Sequence, residues 1–430
     1  MRVLLVAPWS RGRGRFRSPL SFLISNPPLT LPMLAALVPK ELNATISVFD
    51  EISGGRPPAG PFDVVAITVL TAESGRAYEL ADHYRSTGAR VVLGGYHVTF
   101  MPDEALAHAD AIVTGPAIDA WPALLRDIAA GRQAQRVYRD DDASTRQVPM
   151  PDRSVVTSRS YAPLVSMMAS NGCPFDCAFC AIRSMGRYTH RPVDDVVAEL
   201  RAVRRRSIMF CDPNFFASRN YALALMRAMK PLRLRWGATA SIEFAFDEEL
   251  MKAAHDAGCI GVLIGFESLN PATLRDVNKQ RNDPDCYRQA VGNVHRHHMT
   301  VNGTFVLGLD GDTKLDLLRL PDRVRDIGVD LPIYFILAPA PGGPLFAQLD
   351  AEGRILTKDW SRYNQAEVVV QPKNMTPDEL MTLFRRAWRR TYSVANVLRR
   401  VRDAPSASPT QRLVVLAMNI GFKFLGQDKP

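Results

Sequence analysis

Three cysteines fall within eight positions of the stretch SNGCPFDCAFC (170–180): Cys173, Cys177 and Cys180. The other three, Cys211, Cys259 and Cys286, are scattered, so the six do not form a disulfide framework. Thiolates are soft ligands that suit zinc or iron–sulfur clusters. Structural zinc usually takes four ligands in paired short spacings, and the nearest candidate for a fourth here is His190. Four cysteines close a four-iron cluster fully. Three leave one iron open to a substrate or cofactor, which is what a catalytic cluster requires. The C-x3-C-x2-C spacing follows an apolar run directly and is flanked by Gly172 and Pro174, which argues against three unrelated thiols.

Something must hold that loop in place. Six short Val/Ile/Leu-rich runs begin here, at 164–170, 207–211, 234–240, 260–266, 300–308 and 331–339, with helical spacing between them. Six βα repeats predict an open sheet or partial barrel, with chemistry at the carboxyl ends of the strands. The cysteines follow the first strand and therefore lie at that face. Polar residues at the same ends become candidates: Asp212 and Asn214 after the second strand, Ser241 and Glu243 after the third, Glu267 and Ser268 after the fourth. Ser268 is also a natural cap for the following helix. His295, His297 and His298 invite a metal reading, but they lie late in a helix and do not share one face, so they are read as dipole partners.

Upstream, residues 1–140 alternate strand and helix. The runs at 2–8, 45–50, 63–70, 90–95 and 111–115 are continuously apolar, as expected of a parallel sheet covered on both faces. That predicts a doubly wound, Rossmann-like domain with its ligand at the strand ends. Residues 132–163 are polar and mixed, and 141–163 is assigned as a linker. The barrel is assigned to 164–345 and a mainly helical region to 346–430. Within the latter, 375–401 reads as one helix with Thr376 as cap, Pro377 at its first position and Glu379 completing a capping box. The mostly apolar 411–426 reads as a packed terminal helix or a surface for peripheral membrane contact.

The chain has 430 residues and a net charge of +9, with ordinary apolar and charged content. The basic excess suits an anionic substrate or surface. No aromatic–basic platform supports nucleic-acid binding. No stretch offers the ~20 uninterrupted apolar residues of a membrane span, and a reducing cytoplasm is the expected setting.

CPFDCAFC resembles the signature of radical S-adenosylmethionine (radical SAM) enzymes, with an aromatic residue before the last cysteine. FCDPNFF (210–216), GVLIGFESLNPATL (261–274), NGTFVLGLDGDT (302–313) and ILAPAPGGPLF (336–346) resemble further barrel segments of that family. EGRIL with the following DW and Y, and MTPDEL (375–380), are similar to the tail of a subgroup that carries an N-terminal cobalamin-binding domain. NPPLTLPMLAALVP (26–39), VVLGGYHVTFMPDEAL (91–106) and AIVTGPAIDAWPALL (111–125) look like segments of that domain. The chain departs from the subgroup at Gly115-Pro116-Ala117-Ile118-Asp119, where Gly-Glu-Gly-Glu is common, and it lacks the D-x-H-x-x-G motif of cobalamin mutases.

The resemblance implies that Cys173, Cys177 and Cys180 ligate a [4Fe-4S] cluster whose open iron chelates S-adenosylmethionine (SAM). Phe179 would lie near the adenine. Asp212, Asn214, Ser241, Glu243, Glu267 and Ser268 would contact SAM. Cobalamin would lie over Thr68, Thr71, Gly94, Gly95, His97 and Gly115, with His97 read first as a loop or packing residue. The implied activity is methylation of an unactivated carbon in a small-molecule or lipid-like intermediate. The alternative is a cyclisation or oxidation with the same cofactors. The implied electron donor is a flavodoxin or ferredoxin.

Overall fold

The computed structural model describes residues 1–9, 25–132, 135–140, 148–156, 161–182, 186–404 and 409–427. Its first sheet holds β1 (Arg2–Ala7), β2 (Thr45–Asp50), β3 (Val64–Thr68), β4 (Arg90–Gly94), β5 (Ala111–Thr114) and β6 (Val137–Arg139). All pairings are parallel, in the order β2-β1-β3-β4-β5-β6. Alternate residues feed two cores. Leu4, Val6, Val65, Ile67, Val91 and Leu93 pack on one face, while Val3, Leu5, Val64, Ala66 and Val92 pack on the other. This is the two-faced burial that continuous apolar runs demand. The chain reverses its direction of growth between β1 and β3, and in such sheets the ligand crevice opens there. β6 lies in the polar stretch that read as connecting chain. It is a three-residue edge strand anchored by Tyr138, whose hydroxyl donates to Asp127 Oδ2 at 2.8 Å.

The second sheet begins with β7 (Val165–Met167). A short antiparallel pair, β8 (Ser170–Asn171) and β9 (Thr189–His190), then brackets the cysteine loop. β10 (Ser207–Phe210), β11 (Arg235–Ala240), β12 (Cys259–Glu267), β13 (Thr300–Leu307) and β14 (Leu331–Ile336) follow in spatial order, all parallel. Among the described residues β14 does not pair with β7, so the barrel is partial. Phe210, Trp236, Phe266, Phe305 and Tyr334 fill its core.

The carboxyl-terminal region docks on β14. The helix Pro377–Thr391 carries the expected capping box of Thr376 and Glu379. The helix expected over 375–401 is two helices, the second being Val394–Asp403. The break follows from tertiary bonds: the Tyr392 hydroxyl donates to the Pro332 carbonyl at 2.6 Å, and Thr391 Oγ1 lies 2.8 Å from Tyr334 Oη. The last helix, Pro409–Gln427, buries Val415 and Asn419 and exposes Leu413 and Val414. No helix among the described residues is long and apolar enough to cross a membrane.

Candidate active site

The cysteine loop leaves the end of β8 and is latched to the segment after β12. Ala178 N donates to Val277 O at 3.0 Å, and Asn278 Nδ2 donates to Asp176 O at 3.4 Å. Cys180 N donates to Cys177 O at 3.0 Å, which turns the last two cysteines toward a common space. Burial pushes all three thiols above the ordinary range. Each feels another member of the trio, and the Lys279 charge opposes the shift at all three. Three free thiols on one loop are soft donors of the kind that hold an iron–sulfur cluster.

Phe179 packs with Val277, Val306, Leu309, Leu337 and Leu345, an apolar wall beside the last cysteine. The Arg281 guanidinium sits 4.3 Å from the Phe175 ring centroid and 3.6 Å from Glu243. The third strand's end is thereby tied to the cysteine loop. Lys279 and Arg281 were not singled out in the sequence. Their only local signal is a basic pair, Lys279 and Arg281, after a short helix.

Glu267 ends β12 with φ +66°, where a bulge sets it opposite Phe305 of β13. Its Oε1 lies 2.9 Å from Lys279 Nζ, and its Oε2 accepts from Thr304 Oγ1 at 3.3 Å. Ser268 does not cap the next helix. Asn270 does, its Oδ1 accepting from Ala272 N at 2.9 Å, while Ser268 Oγ accepts from Asn270 N at 3.1 Å. Asp212 is buried and committed to backbone: it accepts from Ala169 N at 3.1 Å, from Ser170 N, and from Ser170 Oγ at 2.6 Å. Burial raises its carboxyl to about 6 despite those donors. It fixes the strand end from which the cysteine loop departs. Asn214 is also buried; its Nδ2 donates to Ser241 Oγ at 3.3 Å, joining the second and third strand ends.

A cavity of about 580 Å³ lies between the two sheets. Thr68, Gly94, Gly95 and Gly115 line it from the first sheet, with Met33 and Trp121 from its helices. Met168, Asn171, Arg191 and Cys211 line it from the barrel. The divergent Pro116, Ala117 and Ile118 are part of this wall. Gly95 and Gly115 have φ of +109° and +81°, and a Cβ on Gly115 would stand 2.4 Å from the Asp140 carbonyl oxygen. Only glycine keeps the loop in that shape. The bare backbone edges and the apolar walls fit a large flat ring such as a corrin.

Two residues expected at this site lie outside its lining. Thr71 opens a short 3₁₀ turn, Thr71–Glu73. His97 is fully buried, with Nε2 3.2 Å from Glu104 Oε1 and its ring 5.8 Å from that of Trp360. Burial lowers its pKa against the opposing Glu104 carboxylate, and the ring packs between the first domain and the carboxyl-terminal region. The cavity and the cysteine loop are neighbours: Tyr96 lines the cavity, and its phenol, raised by burial, also feels Cys180.

Comparisons with known proteins agree with this geometry. Residues 167–323 match the model of the Radical SAM superfamily, and residues 59–125 match that of the B12 binding domain. Bacteriochlorophyllide d C-12(1)-methyltransferase of Chlorobaculum tepidum is 30% identical over 394 residues, covering 88% of this chain and 85% of that one. Bacteriochlorophyllide d C-8(2)-methyltransferase of the same organism is 28% identical over 384 residues, covering 85% and 84%. The solved structure of the radical S-adenosylmethionine methyltransferase TsrM from Kitasatospora setae, with cobalamin and [4Fe-4S] cluster bound, superposes with a TM-score of 0.63 at 18% identity, covering 82% of this chain and 78% of that one. The two family models and a relative 30% identical over most of both chains settle the assignment: the chain belongs to the radical SAM superfamily, in the branch that joins the barrel to a B12-binding domain.

Proposed function

We propose that this chain is a cobalamin-dependent radical SAM enzyme that methylates an unactivated carbon of a small-molecule or lipid-like biosynthetic intermediate. The observation that carries this reading is the cavity walled by the strand ends of both sheets, with Tyr96 between it and Cys180. Bound at these two places, the [4Fe-4S] cluster with SAM supplies a hydrogen-abstracting radical, and cobalamin supplies the methyl group.

The chain's own residues bind, orient and shield. Cys173, Cys177 and Cys180 hold three irons and leave the fourth open. Glu267 faces the same space and accepts hydrogen bonds from the ribose hydroxyls or amino group of SAM. Ser241 and Asn214 line the neighbouring strand ends, and Glu243 holds Arg281 against the loop. Phe179 offers an apolar face to the adenine. Asp212 acts through the backbone, keeping the loop's origin in place. Gly94, Gly95 and Gly115, with Met33 and Trp121 from the helices, line the cavity that would hold the cobalamin and shield it from water.

Two relatives are named for methylation of bacteriochlorophyllide d. An anionic or apolar ligand suits a chain of net charge +9 with exposed Leu413 and Val414 on its terminal helix. A flavodoxin or ferredoxin would deliver the electron, in the reducing cytoplasm where such clusters persist.

The test is anaerobic reconstitution with iron, sulfide and cobalamin, followed by turnover with SAM and candidate tetrapyrrole and lipid substrates. Formation of S-adenosylhomocysteine together with 5′-deoxyadenosine, and a product heavier by one methylene unit, is expected. Deoxyadenosine without S-adenosylhomocysteine would favour ring closure or oxidation instead. A protein that takes up no cobalamin would remove the methylation reading.

A further inference from the structure

Lys279 is placed by unusual backbone. It follows Asn278, which has φ +56°, and it meets Glu267, which has φ +66°. Left-handed conformations at non-glycine residues cost about 1–2 kcal/mol each, and they persist where the surroundings require them. Here they bring Nζ to 2.9 Å from Glu267 Oε1, with 18% of the lysine side chain exposed. Gly265 leaves the room for this pair. A Cβ on it would stand 2.1 Å from Glu267 Oε1 and 2.8 Å from Lys279 Nζ. The same segment carries the two latches to the cysteine loop, at Val277 and Asn278. The ammonium is therefore held by Glu267 on a segment that is itself fastened to the cysteine loop.

Its charge is felt by every cysteine of the trio. At Cys173, Cys177 and Cys180 alike, the Lys279 charge opposes the rise that burial causes. Burial by itself would pull the lysine down, and the Glu267 carboxylate 2.9 Å away opposes this by pairing with the ammonium. The reduction potential of an iron–sulfur cluster depends on local net charge and burial. A fixed positive charge favours the reduced, more negative cluster.

We propose that Lys279 is a positioning residue of the cluster site, holding Glu267 in its bend and setting the potential at which the cluster on Cys173, Cys177 and Cys180 accepts its electron. This rests on those cysteines holding the cluster, so iron and sulfide content is measured first in the unaltered protein. A protein that holds no cluster fails the cluster assignment, not the role of Lys279.

The experiment is a redox titration of the reconstituted protein, followed by electron paramagnetic resonance of the reduced cluster without substrate. Lys279→Met should need a more negative potential, with about a tenfold lower reduced-to-oxidised ratio at any fixed potential. Lys279→Arg, which keeps the charge, should titrate close to the unaltered protein. Lys279→Met with full iron and an unchanged titration overturns the proposal, as does Lys279→Arg shifted as far as Lys279→Met. If Lys279→Met loses its cluster, the comparison moves to Glu267→Gln against Glu267→Gln/Lys279→Met, in which no buried carboxylate is left unpaired. The same drop between those two is expected, and its absence overturns the proposal.

Discussion

With the cluster placed as proposed, each of three irons would take one thiolate and no single cysteine of the trio would be dispensable. Cys173→Ala, Cys177→Ala or Cys180→Ala should each leave less than about a tenth of the reconstituted iron and sulfide and no deoxyadenosine formation. Iron analysis with SAM-cleavage assays checks this. Asp212 gives a second prediction, through pH. Its folded-state pKa is raised by burial to about 6, above the unfolded value. Between that unfolded value and about 6 the folded state holds more protons, so stability falls as pH rises through the window. Asp212→Asn keeps an acceptor oxygen for the Ala169 and Ser170 amides and removes the titration. The stability difference between variant and parent should grow in the variant's favour from pH 4 to pH 6.5, by at most ~3 kcal/mol, as read by denaturant unfolding. The strand-end places of the cysteines and Glu267 were legible because each follows directly on an apolar run. Lys279 was not, because its importance comes from two left-handed residues that fold it back onto a carboxylate twelve positions earlier.

Elements were legible where one period decided them. The apolar runs gave every strand of both sheets except the three-residue β6 and the two-residue β8 and β9, which are too short and too polar to carry a pattern. The helix Lys314–Ile327 fills the helical spacing expected between the runs at 300–308 and 331–339, since Thr313 and Asp316 form a capping box and Gly328 ends it at φ +94°. The interruption at Tyr392 was not legible, because the helical period of 375–401 runs through it and the cause is a hydroxyl bonded to Pro332 on another element. The bulge in β12 also escaped, and it leads to a third prediction. Gly265→Ala would drive a Cβ into Glu267 Oε1, 2.1 Å away. The strand must shift or Glu267 must leave its place. Overpacking of this kind costs about 1–3 kcal/mol, and SAM affinity measured by calorimetry on the reconstituted protein should fall at least ~10-fold, while cobalamin uptake stays unchanged.

At the scale of the whole molecule the two sheets face one another across a shared cavity, and no sequence pattern could show which barrel residues wall it. Cys211 illustrates this. It had no role in the sequence reading beyond being a scattered thiol. In the structure its neighbours Phe210 and Asp212 are buried while Cys211 is exposed, and the surface it contributes is cavity wall. The divergent loop at Pro116, Ala117 and Ile118 lines the same cavity from the first domain, so a ring that fills the cavity would touch both domains at once. That geometry separates the two cofactor sites experimentally. Cys211→Phe adds bulk to the cavity without touching Cys173, Cys177 or Cys180. It should reduce bound cobalamin, read from the corrinoid absorbance per protein, by at least ~10-fold. Iron and sulfide content should remain that of the parent, and SAM should still be cleaved to 5′-deoxyadenosine without methyl transfer. Cys211→Ala, which enlarges the same space, should retain cobalamin. Normal corrinoid loading in Cys211→Phe would place the ring elsewhere than between the two sheets.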